Sequence, residues 1–478
     1  NVVWNPESGR LKLIDFGIAT RLSRENPVLR SPEVLEGTLA YMSPEQTGRT
    51  SRSMDYRTDY YSLGATLYQL ATGSLPFPTS DPVELVHSHI AREVVPAHEL
   101  DPAVPVVLSK IIGKLMAKAA EDRYQSAHGI LHDLAVCERV LAGEPAPGFE
   151  PGLADASDRF AVPQKLYGRR REVATVLETF RRVSDGRSEL LLIAGYSGVG
   201  KTALIQEVYE PITERRGYFA AGKFDQLQRN VPFSALVRAL RDLVRQLLSE
   251  SEERLAAWRH RLLEAVGANG RVIVDVIPEV ELVIGPQEPV PELGSAEAMN
   301  RFNLVFSSFI RVFCGGGRPL VLFLDDLQWA DSATLELLRL MLTDEATENL
   351  LLIGAYRDNE VDALHPLTAA IERLRERGAA IGRLQLLPLD LADLRQLVAD
   401  TLHRDAAEVQ RLAELVMAKT RGNPFFVMQF LEMLHREGLV SRAAGRWEWD
   451  IERIEAAGIT DNVVELLVEQ LRRLPEAT

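Results

Sequence analysis

The feature that most constrains the fold of this chain is the glycine-rich stretch GYSGVGKT at residues 195–202, which directly follows the apolar run ELLLIA at 189–194. Its spacing is GxxxxGK[ST], in which glycines let backbone N–H groups close around phosphate oxygens. We predict a phosphate-binding loop in which Lys201 reaches the β and γ phosphates of ATP and the Thr202 hydroxyl ligates Mg²⁺. The alternative is a glycine-rich turn between a strand and a helix. The other candidate ligands are the loop residues Gly195, Ser197, Gly198, Val199 and Gly200.

A pair of acidic residues follows the apolar run of PLVLFLDDLQWAD, at residues 319–331. Asp325 would stand at the carboxyl end of a buried strand, and open parallel sheets bind their ligands at that edge. We predict that Asp325 belongs to the Mg²⁺ shell and that Asp326 orients the attacking water. The alternative is two acids that begin a loop, with Asp331 or Ser332 capping the next helix.

Short apolar runs recur around these motifs, at residues 217–222 and 350–355, with amphipathic segments between them. This alternation predicts a parallel sheet covered by helices. From about residue 388 helical periodicity dominates, and the stretch 143–163, with four prolines and three glycines, is predicted to be a linker. The expected parts are residues 1–142, 143–163, 164–387 and 388–478.

Composition limits the environment and the partners that the chain suits. With 478 residues, of which 46% are hydrophobic, the chain has enough apolar side chains for about three packed domains. The formal net charge of −14 argues against nucleic acid as a partner. No apolar run approaches the length that spans a membrane. Cys137 and Cys314 cannot build a disulfide framework, so we expect a cytoplasmic protein.

Four motifs in the first part stand in a fixed order: LKLIDFG at 11–17, GTLAYMSPEQ at 37–46, DYYSLGATLYQLATGSLPF at 59–77 and EDRY at 121–124. Together they resemble the C-lobe of a Ser/Thr protein kinase. SPE stands where APE is commoner. The resemblance implies that Asp15 chelates the Mg²⁺ that bridges the phosphates.

Five further residues of this part take roles by the same resemblance. Asn1 would be the second Mg²⁺ ligand, and Thr38 would bond the catalytic loop near the substrate hydroxyl. Glu45 and Arg123 would form a buried ion pair that anchors the activation segment. Asp59 would hold the backbone of the catalytic loop.

The stretch 164–478 resembles the STAND and AAA-type signalling ATPases that are fused to bacterial Ser/Thr kinases. LYGRRREV at 166–173 is similar to a GRxxE box, which implies that Gly168 and Arg169 lie along the adenine. GAYRDNEV at 354–361 is similar to a sensor-1 segment, which implies that Arg357 lies near the γ-phosphate. The alternative for Arg357 is a surface side chain at a strand end.

Two further segments extend this resemblance into the last part. GNPFF at 422–426 resembles the GxP motif, so Pro424 would touch the base; alternatively, Pro424 begins a helix at its first turn. REGLVSRAAGRWEWD at 436–450 resembles the helix and hairpin of a winged helix. We expect Trp447 and Trp449 in a core or an interface.

The sequence therefore predicts a multidomain fold: an α-rich kinase C-lobe, then an α/β P-loop NTPase with a helical, winged-helix-like arm. We expect an internal fragment of a bacterial signalling protein in which ATP sets a conformational switch and hydrolysis is slow. Its expected partners are a protein substrate, sensor or histidine-kinase modules, and further copies in a nucleotide-dependent oligomer. This chain alone is not expected to phosphorylate protein, because the kinase's Gly-rich lid, strand Lys and catalytic Asp would precede residue 1. The alternatives are a pseudokinase within a nucleotide-gated scaffold and, less favoured, a transcription regulator.

Overall fold

The computed structural model describes residues 2–14, 39–47, 54–79, 82–155, 160–208, 211–212, 215, 217–228, 231–248, 252–314, 317–443 and 446–456. Three residues with predicted roles, Asn1, Asp15 and Thr38, lie outside these ranges. Within them, no helix has both the length and the apolar character to cross a bilayer.

The N-terminal segment, residues 2–141, begins with an antiparallel hairpin and continues with helices, as an α-rich C-lobe predicts. Gly64 lets the first helix approach the end of the fourth, since a Cβ there would lie 2.7 Å from Met116 Cγ and 2.8 Å from Leu115 Cβ. The described elements are β1 (Val2–Asn5), β2 (Arg10–Leu13), α1 (Arg57–Thr72), α2 (Pro82–Ala91), α3 (Ala97–Leu100), α4 (Val106–Leu115) and α5 (Ala127–Leu141).

The first part of the predicted linker packs against this segment. Asp155 accepts hydrogen bonds from the Gln125 backbone N–H at 2.6 Å and from Ser126 Oγ at 2.7 Å, at the start of α5. The Gly152 N–H donates to Asp133 Oδ2 at 2.7 Å, further along the same helix. Residues 143–155 therefore follow a defined path over the helices of the N-terminal segment.

The sheet domain, residues 164–387, is built on five parallel strands in the order β4-β5-β6-β3-β7. The four predicted apolar runs form β3 to β6, which confirms the predicted parallel sheet. The sequence analysis did not predict the edge strand β7, because its side chains are only partly buried and its apolar run is short. The strands are β3 (Glu189–Ala194), β4 (Tyr218–Lys223), β5 (Leu320–Asp325), β6 (Leu350–Tyr356) and β7 (Ala380–Gln385).

Helices cover both faces of this sheet. Successive residues of a strand point to opposite faces, so Leu190 and Leu192 join one core cluster while Leu191 and Ile193 join another. This double burial explains why every residue of β3 after Glu189 is apolar. The helices are α6 (Arg170–Ser184), α7 (Lys201–Gln206), α8 (Ser234–Leu248), α9 (Glu252–Val266), α10 (Gly270–Val274), α11 (Glu281–Ile284), α12 (Ser295–Arg311), α13 (Ser332–Thr343) and α14 (Pro366–Glu376).

The arm, residues 388–456, combines helices with a short antiparallel hairpin, as the winged-helix resemblance implies. Trp447 is buried in the core of the arm and Trp449 packs against that core. Phe160, from the chain before the sheet domain, stacks on His435 with ring centroids 4.6 Å apart. The elements are α15 (Leu391–Leu402), α16 (Gln410–Thr420), α17 (Pro424–Arg436), β8 (Val440–Ala443), β9 (Arg446–Trp449) and α18 (Ile451–Ala456).

Candidate nucleotide site

The glycine-rich loop joins β3 to α7, as its motif predicts. Gly200 immediately precedes α7 with φ of 99°, a left-handed conformation that favours glycine. Lys201 is buried, and its Nζ donates to the carbonyls of Gly195 at 2.8 Å and Tyr196 at 3.0 Å. Burial lowers the pKa of Lys201, against the opposing effect of the charges of Asp325 and Asp326.

The acidic pair lies at the carboxyl edge of the sheet, on the same side as the loop. Asp325 ends β5, and burial, then the charge of Asp326, raises its pKa above the usual value. Its Oδ1 accepts the backbone N–H of Asp326 at 2.9 Å. The Gly195 N–H donates to the Tyr356 carbonyl at 3.3 Å, and the next residue, Arg357, lies 3.3 Å from Asp326 Oδ1, so the loop and the acidic pair form one site.

Both carboxylate oxygens of Asp326 are engaged by neighbouring side chains. Gln328 Nε2 donates to Oδ1 at 3.0 Å, and Arg357 Nε lies 3.3 Å from the same oxygen. Lys223 Nζ lies 3.2 Å from Oδ2. Asp326 thus joins the ends of three neighbouring strands, β4, β5 and β6; its predicted role in orienting water stays a prediction.

Arg357 follows β6, the strand that lies between β3 and β5. Besides Asp326, it pairs with Glu360 through Nη1 at 2.9 Å. Its guanidinium carbon lies 5.0 Å from the ring centroid of Trp329. These contacts place Arg357 at the end of β6, beside the acidic pair. Its contact with a γ-phosphate stays a prediction, and so does the alternative of a surface side chain at a strand end.

The GRxxE-like box lies between the loop and the chain that leads into the arm. Arg169 is buried, which lowers its pKa, and its Nη2 donates to the carbonyl of Leu387 and, at 3.4 Å, to that of Val199. Gly168 has φ of 66°, and a Cβ there would collide with the carboxylate of Asp393. Both residues therefore lie between the loop and the arm, and their contact with adenine stays a prediction.

The start of α17 contacts the glycine-rich loop directly. Asn423 Nδ2 donates to the Ser197 carbonyl at 2.9 Å, and the Phe425 N–H donates to the Gly198 carbonyl at 3.2 Å. Gly198 has φ of 77°, and a Cβ there would lie 2.7 Å from Phe425 Cβ. Pro424 is the first residue of α17, next to the loop, as the alternative of a proline that begins a helix predicts. Its contact with the base stays a prediction.

Sequence reasoning missed three residues of this site, Lys223, Gln328 and Asn423. Gln328 and Asn423 lie inside the quoted motifs, and Lys223 is the residue after the apolar run at 217–222. The strand order supplies the missing signal for Lys223. Since β4 lies beside β5 in parallel, its last residue meets the acidic pair.

The residues present suit a magnesium–nucleotide complex. Among the described residues, the ion-pair partner of Asp325 Oδ2 is Lys223 Nζ, 3.8 Å away, and the Thr202 side chain is exposed. Oxygen donors of this kind suit Mg²⁺, which uses one or two protein ligands together with substrate phosphates. In the described part of the chain, no group of three or more His, Cys, Asp or Glu side chains could hold a metal unaided.

The N-terminal segment contains the predicted ion pair. Arg123 Nη1 lies 2.7 Å from Glu45 Oε1, Nη2 lies 2.8 Å from Oε2, and both side chains are buried. Burial raises the pKa of Glu45, but hydrogen bonding and charge from Arg123 outweigh it and the pKa falls below its usual value. Asp59 lies in the first turn of α1 with an exposed side chain, and its predicted role stays a prediction.

Comparison with known families finds matches to two domain families in the chain. Residues 1–134 match the protein kinase domain family, and residues 165–353 match the AAA ATPase domain family. The chain is 34% identical to Hybrid signal transduction histidine kinase G of Dictyostelium discoideum, over 91% of this chain and 15% of that protein. It is 26% identical to Histidine protein kinase 1 of Candida albicans, over 64% of this chain and 14% of that protein.

A shorter match covers the first part alone. The chain is 36% identical to the serine/threonine-protein kinase PknB of Mycobacterium leprae, over 30% of this chain and 22% of that kinase. In each of these three comparisons, the chain covers less than a quarter of the relative. A stretch that matches the protein kinase domain family is therefore followed by one that matches the AAA ATPase domain family.

Proposed function

We propose that the sheet domain and the arm form a STAND-type switch that binds ATP with Mg²⁺ and hydrolyses it slowly. The observation that carries the proposal is the pair of hydrogen bonds from Asn423 and Phe425 to the carbonyls of Ser197 and Gly198. When the loop turns its N–H groups toward phosphates, its carbonyls turn with them. A change at the phosphates would therefore change the hydrogen bonds that hold α17 of the arm against the loop.

In this mechanism, Lys201, which now donates to the loop carbonyls, would hold the β and γ phosphates, and Thr202 and Asp325 would hold Mg²⁺. Bound Mg²⁺ would neutralise phosphate charge. The other predicted ligands, Gly168, Arg169 and Pro424, would contact the base.

Slow hydrolysis follows from the pairing of Asp326. A carboxylate has about four acceptor positions, and Gln328, Arg357 and Lys223 already contact that of Asp326, so a water must share the carboxylate with these partners. Arg357 is held beside the same carboxylate, where it would stabilise charge at the γ-phosphate.

The nucleotide site is tested by Lys201→Ala and titration with a fluorescent ATP analogue. Hydrogen bonds to a charged group contribute about 1.5–3 kcal/mol, so the affinity should fall roughly 10- to 150-fold. The matched control is Lys12→Ala, an exposed lysine on β2, which should bind as the parent does. Equal affinity of the Lys201 variant and the parent would overturn the proposal.

We propose further that the complete protein phosphorylates Ser or Thr in a protein substrate and signals onward through sensor or histidine-kinase modules. The match to the protein kinase domain and the identity to PknB support the first step, and the names of the two histidine-kinase relatives support the second. We further propose that nucleotide controls an oligomer of the ATPase domain.

Asp15→Asn in the full-length protein tests the kinase step. Transfer of labelled phosphate to protein should disappear, since Asp15 is the proposed Mg²⁺ ligand. Phosphotransfer and signalling that continue unchanged would favour the pseudokinase scaffold.

A further inference from the structure

Lys223 brings a positive charge to the acidic pair from a neighbouring strand. It is the last residue of β4 and is paired in register with Asp325 on β5. The Phe224 N–H donates to the Asp325 carbonyl at 3.0 Å, so the two strands stay aligned past Lys223. The backbone thereby fixes where the flexible side chain begins.

The other two cations of the site do not bridge the two acids. Lys201 donates to the carbonyls of its own loop, and Arg357 divides its pairing between Asp326 and Glu360. Among the described residues, Lys223 alone forms ion pairs with both acids, 3.2 Å from Asp326 Oδ2 and 3.8 Å from Asp325 Oδ2.

Lys223 is also free to leave this position. Its side chain is 61% exposed, whereas the side chains of Asp325 and Asp326 are 17% and 4% exposed. The acids are fixed and largely shielded from water, and the cation is long and solvated. A long lysine stem lets the charge move by several ångströms without any shift of the strand.

We propose that Lys223 takes the place of the divalent cation at the acidic pair when nucleotide binds without metal. This inference rests on the proposed nucleotide site. With Lys223 in place, the acids repel the triphosphate less; when Mg²⁺ reaches Asp325, Lys223 withdraws into solvent. Lys223 is thus a positioning residue: it allows the site to bind nucleotide when no metal is present.

The test compares ATP affinity in chelator and in Mg²⁺ for Lys223→Met, using a fluorescent ATP analogue and the full chain. In chelator the affinity should fall about tenfold, because two nearby carboxylates lose their counter-charge. In Mg²⁺ the loss should be under about threefold, because the metal supplies the missing charge. The ratio of the two affinities is thus the readout, and it does not depend on hydrolysis.

Two matched variants isolate the cause. Lys223→Arg keeps the charge and should preserve the parent's ratio. Arg318→Met removes an exposed charge just before β5, at the opposite edge of the same sheet, and should change neither affinity.

If Lys223→Met loses the same ATP affinity in chelator and in Mg²⁺, Lys223 holds phosphate in both states. If it loses none in either condition, the ion pairs of Lys223 do not affect binding. Each result overturns the inference. A ratio altered by Lys223→Arg as much as by Lys223→Met would also overturn it. The nucleotide site is tested separately: if Lys201→Ala binds ATP as the parent does, that site itself is wrong.

Discussion

At the level of single residues, the N-terminal segment depends on charges that are buried and paired. Arg123 is 1% exposed, and beyond Glu45 it donates to the carbonyls of Ala117, Lys118 and Arg57 at 2.8–3.1 Å. The guanidinium therefore joins the segment around residue 45 to α1 and to the chain before α5. The resemblance to a kinase C-lobe implied this pair, whose partners lie in the motifs SPE and EDRY.

Arg123→Met should destabilise the N-terminal segment by about 3–5 kcal/mol, since it leaves a buried carboxylate without its partner. Urea unfolding with hydrogen-exchange mass spectrometry of α1 peptides measures the loss. The double variant Glu45→Gln with Arg123→Met should recover much of it, because no buried charge remains unpaired. If the double variant is as unstable as Arg123→Met, an unpaired charge is not the cause.

His89 predicts a distinct pH dependence. Burial and the nearby charge of Lys118 lower its pKa from 6.5 to about 4, and its Nδ1 lies 2.9 Å from the Tyr61 hydroxyl. Between these values the unfolded chain binds a proton that the folded chain does not, so stability is full above pH 6.5 and falls toward pH 4. The slope should reach at most about 1.4 kcal/mol per pH unit.

Hydrogen exchange of α2 peptides between neutral and mildly acidic pH measures this slope. His89→Asn keeps a polar atom near the position of Nδ1 but does not titrate, so its slope should be flatter. A slope as steep as the parent's would assign the pH dependence to other groups.

At the level of elements, the sequence predicts the strands that carry an apolar run, including the edge strand β4, and misses β7 at the other edge of the sheet. ELLLIA predicts β3 to the residue, whereas β7 is partly exposed and carries no comparable run. The residues of the candidate site were likewise predictable only where a local motif contains them. Lys201 and Asp325 stand in motifs, but Lys223 enters the site only through strand order, which no local pattern encodes.

The side-chain amide of Asn423, at the start of α17, should couple the arm to the glycine-rich loop. Asn423→Asp keeps the oxygen that accepts the Phe425 N–H, and so preserves the helix cap, but it cannot donate to the Ser197 carbonyl. Asn423→Ala loses both contacts and about 0.5–2 kcal/mol of capping.

Both variants should speed hydrogen exchange in residues 195–200, while only Asn423→Ala should also speed it at the start of α17. Exchange in the loop that is unchanged in Asn423→Asp would show that the amide does not connect the two elements.

At the level of the whole molecule, the connection between domains is more structured than its composition suggests. The stretch 143–163 is rich in Pro and Gly and has no helical period, which predicts a linker. Its first thirteen residues nevertheless pack on the N-terminal segment, because Asp155 and Gly152 find partners at α5 that are distant in sequence. Contacts of that kind leave no periodic signal.

Asp155→Ala should release this connection. The change removes the acceptor for the Gln125 N–H and Ser126 Oγ, so limited proteolysis should cut residues 143–155 several-fold faster than in the parent. Asp185→Ala, at the end of α6, is a control that should leave the cleavage rate unchanged. Equal rates for the parent and Asp155→Ala would show that other contacts hold the stretch.

The burial of Val162 and Tyr167 in the core of the arm has a practical consequence for dividing the chain. The Tyr167 hydroxyl also donates to Asp400 at 2.8 Å. A recombinant fragment that starts at residue 388 would lack these two side chains and would therefore expose the apolar residues that they cover. Supplying residues 160–169 as a separate peptide should restore its solubility, which makes the arm a discontinuous folding unit.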